Sequence, residues 1–219
     1  MTQNELFDDA LSTACDPATC PPTAFLPQLE TIANLSLNAY CTALYAHLSE
    51  LPIRREITGF IEKVARAGGR AEAERIAHDR SDADVFAVLK AAGKVWKEVH
   101  RIMGFLRFSP DKEGTYTARC SPDHFVLPVL ADHFSLRFGE TPWLIVDEKR
   151  KVCLMRKAGG EVQLVPVDPS PTVVSSTAPD VWEDLWRLYH RSVNNESRTN
   201  LALQRQFIPE RYQKYMNEL

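Results

Sequence analysis

Arginines alternate with aromatic residues in two parts of the chain, a pattern typical of nucleic-acid binding. Aromatic rings stack on unpaired bases, and the planar guanidinium group bonds to phosphate oxygens. The pattern therefore predicts a nucleic-acid contact surface. The pattern runs in the centre through Arg101, Phe105, Arg107, Phe108, Tyr116 and Arg119, and near the end through Trp186, Arg187, Tyr189, Arg191, Arg198, Arg205, Arg211 and Tyr212. In the competing interpretation the aromatic residues are core, because Phe105, Trp182 and Trp186 fall at periodic apolar positions.

Two histidines flank the first predicted hairpin and are candidates for acid–base chemistry. His100 precedes the hairpin and His124 follows it. An imidazole exchanges protons near neutral pH, so the pair could act as general acid and base in a basic cleft near Arg101 and Arg107. The alternative is that both are structural histidines or helix-terminus caps.

Other catalytic and cofactor signatures are missing from the sequence. It contains no G-x-G-x-x-G, phosphate-binding P-loop, G-x-S-x-G or H-E-x-x-H motif. Cys15 and Cys20 are separated by four residues and the other three cysteines lie far apart, so no pair has zinc-site spacing. We expect no metal and no cofactor, and the sequence leaves open whether the protein is an enzyme.

The charge of the chain is distributed unevenly. The 219 residues have a net charge of −3, which gives no overall sign of a nucleic-acid or anionic-membrane partner. Residues 94–157, however, hold 12 Lys and Arg against 8 Asp and Glu, and residues 187–214 hold 6 against 2. Folded together, these two basic blocks could form a positive face, although scattered solvated side chains give the same count.

The first half of the chain has helical periodicity. Apolar spacing predicts helices over residues 27–48 and 53–67, the second ending at Gly68. Residues 81–84 supply the cap of a longer helix. Its predicted core stripe is Val85, Leu89, Ala92, Trp96, Val99 and Met103. Beside it runs a basic ridge of Lys90, Lys94, Lys97 and Arg101, which is either a solvated face or a surface that follows phosphates.

The central part has strand periodicity on both sides of one helical stretch. Strands are predicted over residues 105–108, 115–120, 143–146, 151–156 and 161–165, with a helix between the second and third that is closed by Gly139. Short turns favour antiparallel pairing. We predict an α+β fold: a helical N-terminal half, a central antiparallel sheet of ββαβββ order with a helix on one face, and C-terminal helices. Residues 1–93 and 94–219 form two regions, or one continuous domain.

Three groups of residues resemble a bacterial family of DNA metabolism and DNA repair proteins. They are residues 98–108; residues 121–130, 137–138 and 142–145; and residues 185–189, 198–200, 203–206 and 209–215. The resemblance implies a protein that works with a radical-SAM DNA modification or repair enzyme. A similar domain is found joined to uracil-DNA glycosylase-like domains. The resemblance adds Asn200 to the candidate contacts and implies no catalytic residue.

The leading hypothesis is therefore an accessory protein of DNA repair that works with a radical-SAM partner. In this hypothesis the sheet hairpin and the C-terminal basic segment contact single-stranded or damaged DNA. The alternatives are a nucleic-acid-processing enzyme using His100 and His124, and an interaction module whose helical N-terminal half docks a partner enzyme. The start of the sequence lacks a signal-peptide pattern and no apolar run reaches the about 20 residues of a membrane span, so we expect a cytoplasmic protein without membrane contact.

Overall fold

The chain divides into two compact units, each assembled from two stretches of sequence. A computed structural model describes residues 29–111, 113–167, 181–193, 200, 203 and 208–216. The first unit is Met1–His100 with Asp123–His133, and the second is Arg101–Pro122 with Phe134–Leu219.

The described part of the first unit is built from helices. They are α1 (Leu29–Leu35), α2 (Leu37–His47), α3 (Arg54–Ala65), α4 (Arg70–Ala77), the greater part of α5 (Ala83–Phe105) and a 3₁₀ turn at Leu127–Leu130. The helix predicted over residues 27–48 is interrupted at Ser36, whose backbone is extended. Its hydroxyl accepts a hydrogen bond from the Ala39 N–H at 2.9 Å and so begins α2. The domain boundary predicted after residue 93 falls inside α5, and it stays a prediction.

The core of the first unit gathers apolar side chains from all of these helices. Helix α4, which the sequence analysis did not predict, contributes Ala73 and Ala77. It begins directly after Gly69, at the point where α3 was expected to end. The other fully buried members include Leu29, Ile32, Leu44, Phe60, Val64, Val85, Val88, Val95, Leu127 and Leu130.

The second unit contains a five-stranded sheet in the order β1-β2-β3-β4-β5. The strands are β1 (Ser109–Pro110), β2 (Tyr116–Cys120), β3 (Trp143–Asp147), β4 (Val152–Arg156) and β5 (Val162–Pro166). The predicted first strand over residues 105–108 is wrong, because α5 continues to Phe105 and β1 begins at Ser109. The α+β class and the order of the elements are confirmed.

The sheet is mixed, and the prediction of an antiparallel sheet is wrong for one pair. β2 and β3 are parallel, in a register that pairs Tyr116 with Trp143 and Cys120 with Asp147, whereas the other three pairs are antiparallel. The reason is the connection: residues 121–142 contain α6 (Ala131–Phe138), and a crossover of this length returns the chain in the same direction.

Helix α6 packs against the sheet, as predicted. Its Phe134 is fully buried, and the ring centroid lies 6.2 Å from that of Trp143 on β3. The described residues that follow include the helices α7 (Val181–Val193) and α8 (Glu210–Gln213). Among the described residues, no helix combines the length and apolarity needed to cross a membrane.

Candidate nucleic-acid interface

Helix α5 begins at a capped and ion-paired N-terminus. The Asp82 carboxylate accepts hydrogen bonds from the N–H groups of Asp84 and Val85 at 2.9 and 3.1 Å. Lys63 Nζ lies 2.6 Å from Asp82 and 2.8 Å from Asp84. The Lys63 hydrogen bond is the main reason that the pKa of Asp82 is lowered, and the same bond raises the pKa of Lys63. The start of the helix is thus fixed at the predicted cap.

The buried side of α5 is rotated from the predicted stripe. Trp96 is 40% exposed, and Leu89 and Met103 are only half-buried. The spacings 85-88-92-95-99-102 and 85-89-92-96-99-103 both fit a helical period, and the first, valine-rich set is the one that is buried. The residues of α5 that are buried are Val85, Val88, Ala91, Ala92, Val95, Glu98, Val99 and Ile102.

The basic ridge is exposed along its whole length, as predicted. Lys90, Lys94, Lys97 and Arg101 all lie on the solvent side of α5, and within the described part of the chain none of them forms a salt bridge. The two acidic residues of the helix do not offset them: Asp84 pairs with Lys63 in the first turn, and Glu98 is buried. Beyond its first turn, α5 therefore presents cations without anions.

An aromatic pair accompanies the ridge. The rings of Trp96 and His100 are stacked one helical turn apart, with centroids 5.7 Å apart and planes inclined by 4°. His100 is exposed, like the tryptophan. An exposed indole ring can stack on a base, and lysines beside it can bind the neighbouring phosphates.

The buried carboxylate of Glu98 binds the main chain at the start of residues 123–133, the second stretch of sequence in the first unit. Its two oxygens accept hydrogen bonds from the N–H groups of Asp123 and His124, both at 2.8 Å. The Nδ1 atom of His124 lies 3.2 Å from the N–H of Glu50 and accepts from it. Glu98 was not singled out by the sequence analysis, although its place between Val95 and Ile102 on the apolar side was a usable signal.

The two candidate histidines are not brought together. His124 is anchored at Glu98, on the buried side of α5, whereas His100 projects from the exposed side. Residues two positions apart on an α-helix point about 200° apart. Because Nδ1 of His124 is already engaged by a main-chain N–H, the geometry assigns this histidine a structural contact.

The predicted arginines of the second unit have different environments. Arg119 on β2 is exposed and lies 3.3 Å from the carboxylate of Glu148. Arg107 lines a pocket, and its Nη1 donates to the carbonyl of Gly104 at 3.0 Å. Arg137, which the arginine and aromatic pattern did not include, lines the same pocket from the last turn of α6.

The C-terminal motif of residues 209–215 is anchored in the second unit. Tyr212 is 2% exposed, with its ring 5.8 Å from that of Phe105, so its faces are not available for base stacking. The Tyr215 hydroxyl donates a hydrogen bond to Oε2 of Glu148 at 2.7 Å. Burial raises the pKa of Glu148, but the hydrogen bond from Tyr215 and the nearby Lys214 outweigh it, and the net pKa is lowered.

The remaining predicted contacts are described only in part. Asn200 is exposed, and its Oδ1 accepts from the Leu203 N–H at 3.0 Å. Arg198, Arg205 and the side chain of Arg211 lie outside the described residues. Where the structure can be described, no group of three or more His, Cys, Asp or Glu side chains is placed to hold a metal ion.

Comparison with known proteins gives one family. The model of a domain of unknown function, DUF4130, matches residues 56–218. Searches of curated proteins and of solved structures returned no significant match. The matched span includes α5, the whole sheet and the C-terminal motif, so the features described above lie within it. The chain belongs to the DUF4130 family.

Proposed function

We propose that this protein binds nucleic acid along the exposed face of α5, as an accessory protein of DNA repair or DNA metabolism. The observation that carries the proposal is the uncompensated ridge of Lys90, Lys94, Lys97 and Arg101. Oppositely charged residues three or four positions apart on a solvated helix face stabilise the helix as pairs. The exposed face of α5 has no such pairs beyond its first turn. Because its cations are not neutralised by acidic residues of the helix, the face suits a polyanion.

The dimensions of the ridge suit a nucleic-acid strand. Lys90 and Arg101 are about 16 Å apart along the axis, at about 1.5 Å per residue. That length covers several phosphates, since one strand of B-DNA advances about 3.4 Å per nucleotide. Trp96 and His100 lie within the same span and offer a stacked pair of rings for an unpaired base. These features favour single-stranded or locally opened DNA over an intact duplex.

The test compares two triple variants that remove the same charge from the first unit. Lys90, Lys94 and Lys97 are changed to alanine in one, and Arg55, Arg70 and Arg80 in the control; all six side chains are exposed. Binding of a labelled single-stranded oligonucleotide is followed by fluorescence anisotropy from about 50 to 200 mM salt. The control should bind like the unaltered protein, because its arginines lie outside the ridge.

The ridge variant should bind at least about 10-fold more weakly at low salt. Its log–log salt slope should be smaller in magnitude by about 2, since each phosphate contact contributes about 0.7 for a single strand. If both variants lost affinity equally, net charge alone would explain the binding, and the assignment of the contact to the ridge would be refuted. The same holds if the unaltered protein does not bind at about 50 mM salt.

A radical-SAM enzyme is the partner we propose, on the resemblance of residues 94–215 to DNA repair proteins that work with such an enzyme. Its test is co-expression of the full chain with a radical-SAM enzyme of the same genome, followed by size-exclusion chromatography. Co-elution that survives about 0.5 M salt and nuclease treatment supports a direct complex. Loss on nuclease treatment would mean that nucleic acid alone bridges the two proteins.

A further inference from the structure

A pocket of about 410 Å³ opens in the second unit. This volume lies in the range of sites for small organic ligands. The last turn of α5, residues 106–108 that follow it, the start of β2 and the last turn of α6 supply its walls. The lining residues are Gly104, Leu106, Arg107, Phe108, Tyr116, Arg137 and Phe138.

Three partly exposed rings form the apolar part of the pocket. Phe138 is in the middle, with its centroid 4.7 Å from Phe108 and 5.3 Å from Tyr116. Behind them lies the fully buried Phe134, whose ring is 5.1 Å from that of Phe108. Because the Phe134 ring is packed in the core, the outer rings against it are held in place before a ligand arrives.

Two arginines supply the charge of the pocket, and none of the described residues that line it is acidic. Arg107 Nη1 donates to the main-chain carbonyls of Gly104 and Leu106 at 3.0 and 3.4 Å, which fixes the guanidinium at the wall. Arg137 is exposed, with its guanidinium carbon 6.0 Å from the centre of the Phe138 ring. Aromatic surface with two cations suits a flat ligand that carries an anion, and disfavours a cation or an uncharged sugar.

We propose that this pocket binds one unstacked nucleotide, with its base against the aromatic rings and its phosphate bound by Arg107 and Arg137. Arginine suits this role because its planar fork matches phosphate oxygens. The inference rests on the proposed function and names its substrate class, a base that carries a phosphate. The bound nucleotide is either part of a strand or a free mononucleotide.

The test uses two pocket variants of the full-length protein, each with a neighbouring control. Arg137→Ala changes an exposed side chain and Phe138→Leu keeps an apolar one, so both should fold, which a thermal melt checks. The controls are Lys157→Ala, an exposed cation of the second unit, and Leu136→Ala, which is 82% exposed on α6. Each is titrated with a single-stranded dodecamer and with an abasic dodecamer of the same phosphate backbone.

The normal dodecamer should bind each pocket variant about 5- to 100-fold more weakly, the range expected for losing one stacked base or one phosphate contact. Phe138→Leu should leave abasic-strand affinity unchanged within about twofold, and so should both controls on either strand. If deoxyadenosine monophosphate competes with the dodecamer, the pocket also binds a free nucleotide. If it does not compete, the pocket binds a nucleotide only within a strand.

Two negative results have separate meanings. If the normal strand binds and the lysine ridge matters, but both pocket variants bind like the unaltered protein, the pocket assignment is wrong and the proposed function stands. If no strand binds at low salt, the proposed function fails as well.

Discussion

Replacing Glu98 should detach residues 123–126 from α5. Both oxygens of this buried carboxylate accept main-chain N–H groups, from Asp123 and His124, at 2.8 Å. A hydrogen bond to a charged group contributes about 1.5–3 kcal/mol, and a buried N–H left without a partner costs about 1–3 kcal/mol. Glu98→Ala removes both bonds, so the free energy of unfolding should fall by about 3–6 kcal/mol. That is a large part of the about 5–15 kcal/mol typical of a domain.

Glu98→Gln is the sharper variant because it keeps the shape of the side chain. One amide oxygen still accepts, but the NH₂ group faces the other N–H, donor against donor. We expect a loss of about 2–4 kcal/mol, which moves the urea midpoint down by roughly 1–3 M at a typical slope. Amide hydrogen exchange at Asp123 and His124 should accelerate more than at β3 or β4. The control is Glu161→Gln, at an exposed position, and should stay within about 0.5 kcal/mol.

His124→Ala provides a second comparison for the same contact. It removes the bond from the Glu50 N–H to Nδ1 and leaves the main-chain N–H on Glu98, so it should cost about 1 kcal/mol. If Glu98→Gln cost less than about 0.5 kcal/mol and left the two amides protected, the idea that this carboxylate holds the loop would be wrong.

Two further predictions concern a pair of glycines and the C-terminal anchor. Gly93→Ala should stabilise the protein by about 1 kcal/mol, because alanine favours a helix and open space surrounds the new methyl group. At Gly59 the methyl group would lie 2.5 Å from Asp84, so the same change should be neutral or destabilising in thermal melts. Tyr215→Phe should cost about 1 kcal/mol at neutral pH by removing the bond to Glu148. Folding lowers the pKa of that carboxyl, so its contribution is complete above the ordinary value of 4.5 and is lost as pH falls through the folded pKa. A Tyr215→Phe difference that persists unchanged at pH 2 would contradict this.

Part of the candidate site was predictable because it depends on one helix alone. The spacing of Lys90, Lys94, Lys97 and Arg101 places them on neighbouring turns whatever the rest of the chain does. The structure confirms that they are exposed. What spacing could not decide is which of two equally periodic apolar sets is buried, so Trp96 was predicted to be core and is 40% exposed.

Other parts of the site depend on residues that are distant in sequence. Arg119 and Tyr212 both matched the arginine and aromatic pattern, but one is paired with Glu148 and the other is packed against Phe105. Arg137 and Arg107 line the same pocket only because the last turn of α6 lies beside the residues that follow α5 in the second unit. No local pattern distinguishes an arginine that faces solvent from one that meets a carboxylate 29 residues later.

The sequence by itself determined the order and type of most elements, because hydrophobic period, helix caps and turn residues act over a few positions. Tertiary structure decided the parallel pairing of β2 with β3, the burial of Glu98, and the grouping of rings and arginines into one pocket. Each of these follows from contacts between stretches far apart in the chain, where packing and hydrogen-bond satisfaction select one arrangement among several that the local pattern allows.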